Sequence, residues 1–170
     1  ESARKLKQLL AAQEVNCAGV LGGKDRATSV KTRIIAHQQQ VVRVDRENVD
    51  GISEKAVRAL MRSLHARLAG ADAVIIGDYG KGVVSQPLMD YLKSLCRTRG
   101  IWVSLDPKPV NPVDVSGLSL ITPNRKEAFE LAGIHDGSRR AEPLADAALL
   151  RVAGILLERL KPAVLLITLL

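Results

Sequence analysis

Four short, almost unbroken apolar runs limit what this chain can fold into: Ala73 to Ile76, Ile101 to Leu105, Leu118 to Ile121 and Ala163 to Ile167. Runs of this length suit strands, and the segments between them carry helical spacing. Ser85 can cap a helix bearing Leu88, Leu92 and Leu95 that Gly100 closes. Glu127 to Ala132 reads as a short helix stopped by Gly133, and a helix over about Pro143 to Leu160 leads into the last run. Continuously apolar strands that alternate with helices predict an α/β fold, with a parallel sheet covered on both faces.

The first third of the chain has a different character. Leu6, Leu9 and Leu10 stand at helical spacing within Glu1 to Gln13, and Gly19, Gly22 and Gly23 break that pattern. Val30, Thr32 and Ile34, then Val41, Val42 and Val44, read as two short strands joined by the polar His37-Gln38-Gln39-Gln40. Lys31, Arg33 and Arg43 punctuate this β-ribbon, which a plain doubly wound sheet would not contain. After Asp50-Gly51, Ile52, Ala56, Leu60, Leu64 and Leu68 repeat every four residues and predict one buried helix face.

A chain of 170 residues is long enough for one core-forming domain. With 46% apolar and 25% charged residues it reads as globular and not disordered, and one Phe, one Trp and two Tyr leave an aliphatic core. The net charge of +7 suggests anionic partners. Its cations are scattered among acids and lack aromatic neighbours for base stacking, which favours phosphorylated metabolites over nucleic acid. Cys17 and Cys96 fit neither a metal site nor a disulfide framework and read as buried reduced thiols. No apolar run is long enough to span a bilayer. A cytoplasmic location is the expectation.

In open α/β sheets ligands bind beyond the carboxyl ends of the strands. Here the first strand runs into Gly77-Asp78-Tyr79-Gly80-Lys81-Gly82, the second into Asp106-Pro107-Lys108, and the third into Thr122-Pro123-Asn124, with Glu127 one turn later. Asp78 and Asp106 can alternatively cap loops, Asn124 and Glu127 can be a helix-capping pair, and Lys81 and Lys108 can be solvated charges. Three such clusters on one edge favour a site. Lysines, glycine-flanked amides and carboxylates suit phosphate and Mg²⁺ chemistry. The chain has no G-x-x-x-x-G-K-[ST] and no G-x-G-x-x-G, which disfavours P-loop and dinucleotide-binding enzymes.

The ribbon Thr28-Ser29-Val30-Lys31-Thr32-Arg33-Ile34-Ile35-Ala36, with Gln39-Gln40 and Arg43-Val44-Asp45-Arg46-Glu47, resembles the lid of heptose 7-phosphate kinases. Those kinases are domain I of the bifunctional ADP-heptose synthases, within the ribokinase-like (PfkB) carbohydrate kinase family. The three strand-exit motifs continue the resemblance in order, and it covers essentially the whole chain. T-P-N-x-x-E is shared across many PfkB kinases, so the ribbon is the more specific signal.

The resemblance implies a three-layer sandwich with a mostly parallel sheet and a β-ribbon lid. Residues 1–170 would be a partial kinase domain, with 28–47 as the lid and 52–170 as the α/β body. It implies ATP- and Mg²⁺-dependent phosphorylation of a heptose 7-phosphate at its anomeric hydroxyl, for ADP-heptose and lipopolysaccharide core synthesis. By matching positions, Asn124, Glu127 and Lys108 would serve the nucleotide, with Glu127 reaching the metal through water, and Asp78, Lys81, Arg33 and Arg43 would serve the sugar phosphate. A homodimer through the lid and a nucleotidyltransferase domain in the parent chain are further implications. The family's Gly-rich segment ending in the catalytic Asp is expected beyond Leu170, so the fragment alone is expected to be inactive, and Asp146 is expected to be a solvated helix residue. Another PfkB-type sugar or nucleoside kinase, and a non-catalytic anion-binding α/β module, are the alternatives.

Overall fold

The computed structural model describes residues 2–23, 26–137 and 140–169. The chain divides into two compact units, Glu1–Arg67 and Leu68–Leu170.

The first unit contains helix α1 (Ser2–Ala11), strands β1 (Val30–Ala36) and β2 (Gln39–Arg46), and helix α2 (Glu54–Arg67). β1 and β2 form a separate two-stranded antiparallel sheet, as the alternating pattern predicts. The connection is shorter than the polar run suggested. Gln39 and Gln40 pair in β2, and only His37 and Gln38 turn, at φ 47° and 64°. Positive φ at both central residues gives the two-residue turn a twist that matches the strands. Register places Thr32 opposite Val44 and Ile34 opposite Val42 on one face, and Lys31 opposite Asp45 and Arg33 opposite Arg43 on the other.

The four-residue repeat predicted a buried face for α2, yet no residue of α2 is fully buried. Ala56, Leu60 and Leu64 are half-buried, and Leu68 is buried just past the helix end. A strict four-residue repeat drifts by about 40° per step around a helix of 3.6 residues per turn, so five such positions cannot share one narrow strip.

The second unit alternates strands and helices: β3 (Ala73–Gly77), α3 (Gln86–Arg99), β4 (Trp102–Asp106), β5 (Leu120–Ile121), α4 (Arg125–Ala132), α5 (Ala147–Leu160) and β6 (Val164–Leu165). The strands are all parallel, in the order β3-β4-β5-β6. Gly100 and Gly133 close α3 and α4 at φ 66° and 70°, as expected of C-cap glycines. Ser85 occupies the N-cap of α3, but its hydroxyl makes no capping bond.

The core lies on one side of this sheet. Val103, Leu105 and Ile121 pack there with Leu88, Met89, Leu92 and Cys96 of α3, Phe129 of α4, and Val152 and Leu156 of α5. One phenylalanine therefore joins an otherwise aliphatic core. Cys96 is buried as expected, while Cys17 is only half-buried. On the other face, among the described residues, Ile75 is 83% exposed, and Trp102, Val164 and Leu166 are exposed as well. An apolar run records the absence of charge, whereas cover requires an element packed on each side, and the described helices of this unit leave one side open.

The helix expected over Pro143 to Leu160 is interrupted. Pro143–Ala145 makes a 3₁₀ turn, Asp146 stands at the N-cap of α5, and its Oδ1 accepts the Leu149 N–H at 3.1 Å.

Lys93 of α3 donates to Asp114 Oδ2 at 2.8 Å, and Ser116 N–H donates to Oδ1 at 2.9 Å. Lys93 first, then Ser116, lower the Asp114 carboxyl to about 2. A folded value below the unfolded one, about 3.9, means stability fully present above about pH 4 and lost as pH falls through about 2. Asp114 is 56% exposed, so solvent screening keeps this contribution small. Lys93→Met is expected to raise the Asp114 midpoint by about one unit, read from its side-chain carboxyl carbon by NMR.

Candidate active site at the strand exits

The three exits predicted from sequence all open at the carboxyl edge of the parallel sheet. At the β3 exit, Asp78 N–H donates to the Asp106 carbonyl at 3.0 Å, extending the ladder one step. The Asp78 side chain turns back into the protein and is buried. Its Oδ1 accepts Gly80 N–H at 2.8 Å, and its Oδ2 accepts Asn111 Nδ2 at 2.8 Å. Gly80 has φ +62°, and a Cβ there would lie 3.0 Å from Val110 Cγ2 and 3.2 Å from Lys108 Cγ. Glycine suits this position: its φ strains any other residue, and a side chain would have to push Val110 and Lys108 aside by a few tenths of an ångström.

At the β4 exit, Lys108 reaches across to α4, where its Nζ lies 2.9 Å from Glu127 Oε1. The Lys108 side chain is 44% exposed and that of Glu127 9%, so the pair has one wet and one dry partner. The Glu127 hydrogen bond is the main cause that raises the Lys108 ammonium pKa. Asp106 is pushed up as well, first by loss of hydration and then by the neighbouring Glu127 charge. Acid and base are thus interleaved within one small patch.

At the β5 exit the chain passes through Thr122 and Pro123 into α4. Asn124 is the N-cap: its Oδ1 accepts Glu127 N–H at 3.0 Å, and its own N–H donates to Glu127 Oε2 at 3.1 Å. This is a complete capping box. The reading of Asn124 and Glu127 as a capping pair therefore holds in the geometry. Loss of such a cap typically costs about 1 kcal/mol. The box leaves Oε1 of Glu127 aimed at the Lys108 side, so capping and site geometry coexist. Asn124 also bridges to Thr168 beyond β6, whose carbonyl accepts Arg125 N–H at 2.8 Å.

Asn124, Glu127, Lys108 and Asp106 are thus brought together. Asp78 lies in the same unit but spends both carboxylate oxygens on loop N–H groups, and Lys81 is half-buried in the β3 exit loop. Arg33 and Arg43 belong to the hairpin of the first unit, directly opposite each other across the strands. Arg43 pairs with Asp45 at 3.0 Å. Asp45 also takes Lys31 at 3.1 Å, and Lys31 first, then Arg43, lower its carboxyl pKa.

Among the described residues, no group of three His, Cys, Asp or Glu side chains is placed to hold a metal ion. Glu127, with Asp106 beside it, fits a Mg²⁺ that keeps most of its waters and takes its direct ligands from phosphate oxygens.

Asp146 is not the solvated helix residue expected. It is 1% exposed, and its Oδ2 takes Arg125 Nη1 at 2.8 Å. Arg125 also grips Asp136 through two bonds of 2.8 and 2.7 Å and lies over the Phe129 ring, 4.8 Å from its centroid. The Arg125 guanidinium pKa is raised, chiefly by Asp136. Neither Arg125 nor Asn111 stood out in the sequence. An arginine one step inside a capping box reads as solvated, and an asparagine between prolines reads as turn chemistry.

This architecture is the ribokinase-like α/β fold. Over 98% of the chain it superposes on half of phosphofructokinase-2 from Escherichia coli, covering 52% of that protein, with a TM-score of 0.69 and 18% identity for the potassium complex. The tetrameric inhibited form of the same protein gives 0.68. In sequence, the chain is similar to the bifunctional protein HldE of Desulfatibacillum aliphaticivorans, 40% identical over 145 residues, which are 85% of this chain and 30% of that protein. It is also 40% identical to HldE of Wolinella succinogenes over 131 residues, 77% of this chain and 28% of that one. The chain therefore spans less than a third of the length of these curated relatives. No family model matches it. Among the described residues no helix is long and apolar enough to cross a membrane.

Proposed function

We propose that this chain is part of an ATP-dependent sugar kinase, and that its acceptor is D-glycero-D-manno-heptose 7-phosphate, phosphorylated at the anomeric hydroxyl for ADP-heptose synthesis. The carrying observation is the cluster at two successive parallel-strand exits, β4 and β5, where Lys108, Glu127, Asn124 and Asp106 converge. Phosphoryl transfer asks chiefly for positioning and charge neutralisation, and a lysine beside a capped helix start with two carboxylates supplies both. Likeness to proteins named HldE and to the phosphofructokinase-2 fold supports the reading.

In it, Lys108 meets nucleotide phosphate, Glu127 holds a Mg²⁺ through water, and Asn124 fixes Glu127. The metal, when bound, would neutralise charge on the transferring phosphoryl group. Asp78 and Lys81 line the sugar side through their loop, which Asp78 shapes from within.

In this reading the hairpin acts as a lid and as the contact of a homodimer, since among the described residues neither of its strands pairs with a third. Its cationic face supports a role toward the sugar phosphate. Like charges directly opposite in a sheet repel, Asp45 answers Arg43 at 3.0 Å, and a bound phosphate would relieve what remains of that repulsion. In the full-length protein, Arg33→Lys is expected to raise the KM for the sugar phosphate about tenfold, with the KM for ATP nearly unchanged, because lysine cannot make the bidentate contact. A nucleotidyltransferase region in the parent chain accords with the word bifunctional in the relatives' name, and a cytoplasmic site of action accords with these substrates.

A panel of heptose 7-phosphate, fructose phosphates, ketodeoxy acids and nucleosides, assayed for phosphate transfer by the full-length protein, tests the proposal. Transfer to the heptose phosphate at least about a hundredfold above the others is expected, since recognition by buried polar groups discriminates by that much. Preference for a fructose phosphate, the second reading that the phosphofructokinase-2 fold favours, would overturn the substrate. Absence of transfer to every acceptor would overturn the kinase.

A further inference from the structure

Lys108 arrives at Glu127 from an exposed position on a turn beyond the end of β4. What holds it there is the neighbouring loop. The Asn111 side chain commits both hydrogens of its Nδ2, one to Asp78 Oδ2 at 2.8 Å and one to the Val84 carbonyl at 2.7 Å. Its backbone N–H donates to the Lys108 carbonyl at 2.9 Å, closing the turn of residues 108–111. Asp78 completes the lock by taking Gly80 N–H and by donating its own N–H to the Asp106 carbonyl. On the other side Gly80 presses its bare Cα toward Val110 and the Lys108 methylenes. Asp78 is buried and, among the described residues, is met by N–H donors and by no cation in an ion pair. A buried carboxylate of this kind depends on each donor it has.

We propose that Asn111 is a positioning residue: it locks the turn of residues 108–111 onto the β3 exit loop and thereby sets Lys108 on Glu127. The lock itself needs no knowledge of the reaction. Only its kinetic consequence rests on the kinase reading, in which Lys108 meets nucleotide phosphate. Asn111 has no place in that chemistry itself, and it acts through Lys108.

The test uses the full-length protein with Asn111→Ala and Asn111→Asp, the latter keeping the side-chain volume in case the alanine variant does not fold. Hydrogen exchange at the Gly80 and Asn111 amides is expected to speed by about tenfold or more in either variant, with the Thr122 amide in the β4–β5 ladder unchanged. The aspartate should be at least as severe as the alanine, because it sets a second carboxylate against Asp78. A crystal structure of either variant is expected to show the Lys108 ammonium withdrawn from Glu127. Wild-type exchange in the aspartate variant, or Lys108 still on Glu127, would overturn the inference.

In the kinetic arm, Asn111→Ala is expected to lower kcat/KM for ATP about tenfold in the wild-type background but less than twofold when Lys108→Met is already present, since residues acting through one another are not additive. Full additivity would show that Asn111 does not act through Lys108 and would overturn the inference. A silent Lys108→Met would instead remove Lys108 from the proposed chemistry, and the crystal structure would then decide the lock alone.

Discussion

Arg125→Met is expected to lower the melting temperature by about 10 °C at pH 7, as removal of one partner from a buried ion pair does. The cause is Asp146. In the native protein this carboxylate is 1% exposed and is held by Leu149 N–H, Arg125 Nη1 and, more weakly, Arg140 N–H. Methionine fills much of the arginine's volume but leaves the buried charge without its counter-ion. Asp136 is 34% exposed and can take water instead, so little of the loss arises there. The Leu149 N–H and Arg125 hold the Asp146 carboxyl below its ordinary value. Stability from such a depressed group is present above the unfolded pKa, about 3.9, and is lost as pH falls through the folded one. The gap between wild type and variant should therefore be widest at neutral pH and narrow below about pH 4. Thermal unfolding followed by circular dichroism at pH 7 and pH 3.5 reads both effects. Adding Asp146→Asn to Arg125→Met should recover part of the loss, because the uncompensated charge is gone. Equal melting of wild type and Arg125→Met at pH 7 would mean that water reaches Asp146.

Glu127→Gln is expected to leave the fold intact and to cut phosphate transfer by the full-length protein about a hundredfold or more. Glutamine retains an oxygen that can accept Asn124 N–H, so the capping box survives in large part and the melting temperature should move by only a few degrees. What it loses is charge. Lys108 no longer has its anionic partner at 2.9 Å, and a water-held Mg²⁺ no longer has a carboxylate beside it. The Mg²⁺ concentration for half-maximal turnover should rise together with the fall in kcat. Unchanged kinetics and an unchanged Mg²⁺ requirement would reduce Asn124 and Glu127 to a helix cap. The two substitutions lie only two positions apart on α4, yet one should act on stability and the other on turnover. Arg125 faces Asp136 and Asp146, whereas Glu127 faces Lys108.

The sequence by itself determined the alternation of strands and helices, the separate hairpin with its cationic face, and the three strand exits with their polar clusters. These are local signals: apolar runs and periodicity follow from backbone geometry, and a capping box lies within four consecutive residues. Tertiary structure alone decided which polar groups are spent inside the protein and which remain available. Asp78 reads as a site carboxylate or a loop cap and Asp146 as a solvated helix residue, and both are buried, because Asn111, 33 positions on, and Arg125, 21 positions back, deliver donors to them. It also decided that Lys108 meets Glu127, and that one face of a uniformly apolar sheet stays open at Ile75 and Trp102. The physical reason is the same each time. A residue's type fixes what it can bond, but the cost of burying it depends on partners far away in the chain, and no local pattern encodes those partners.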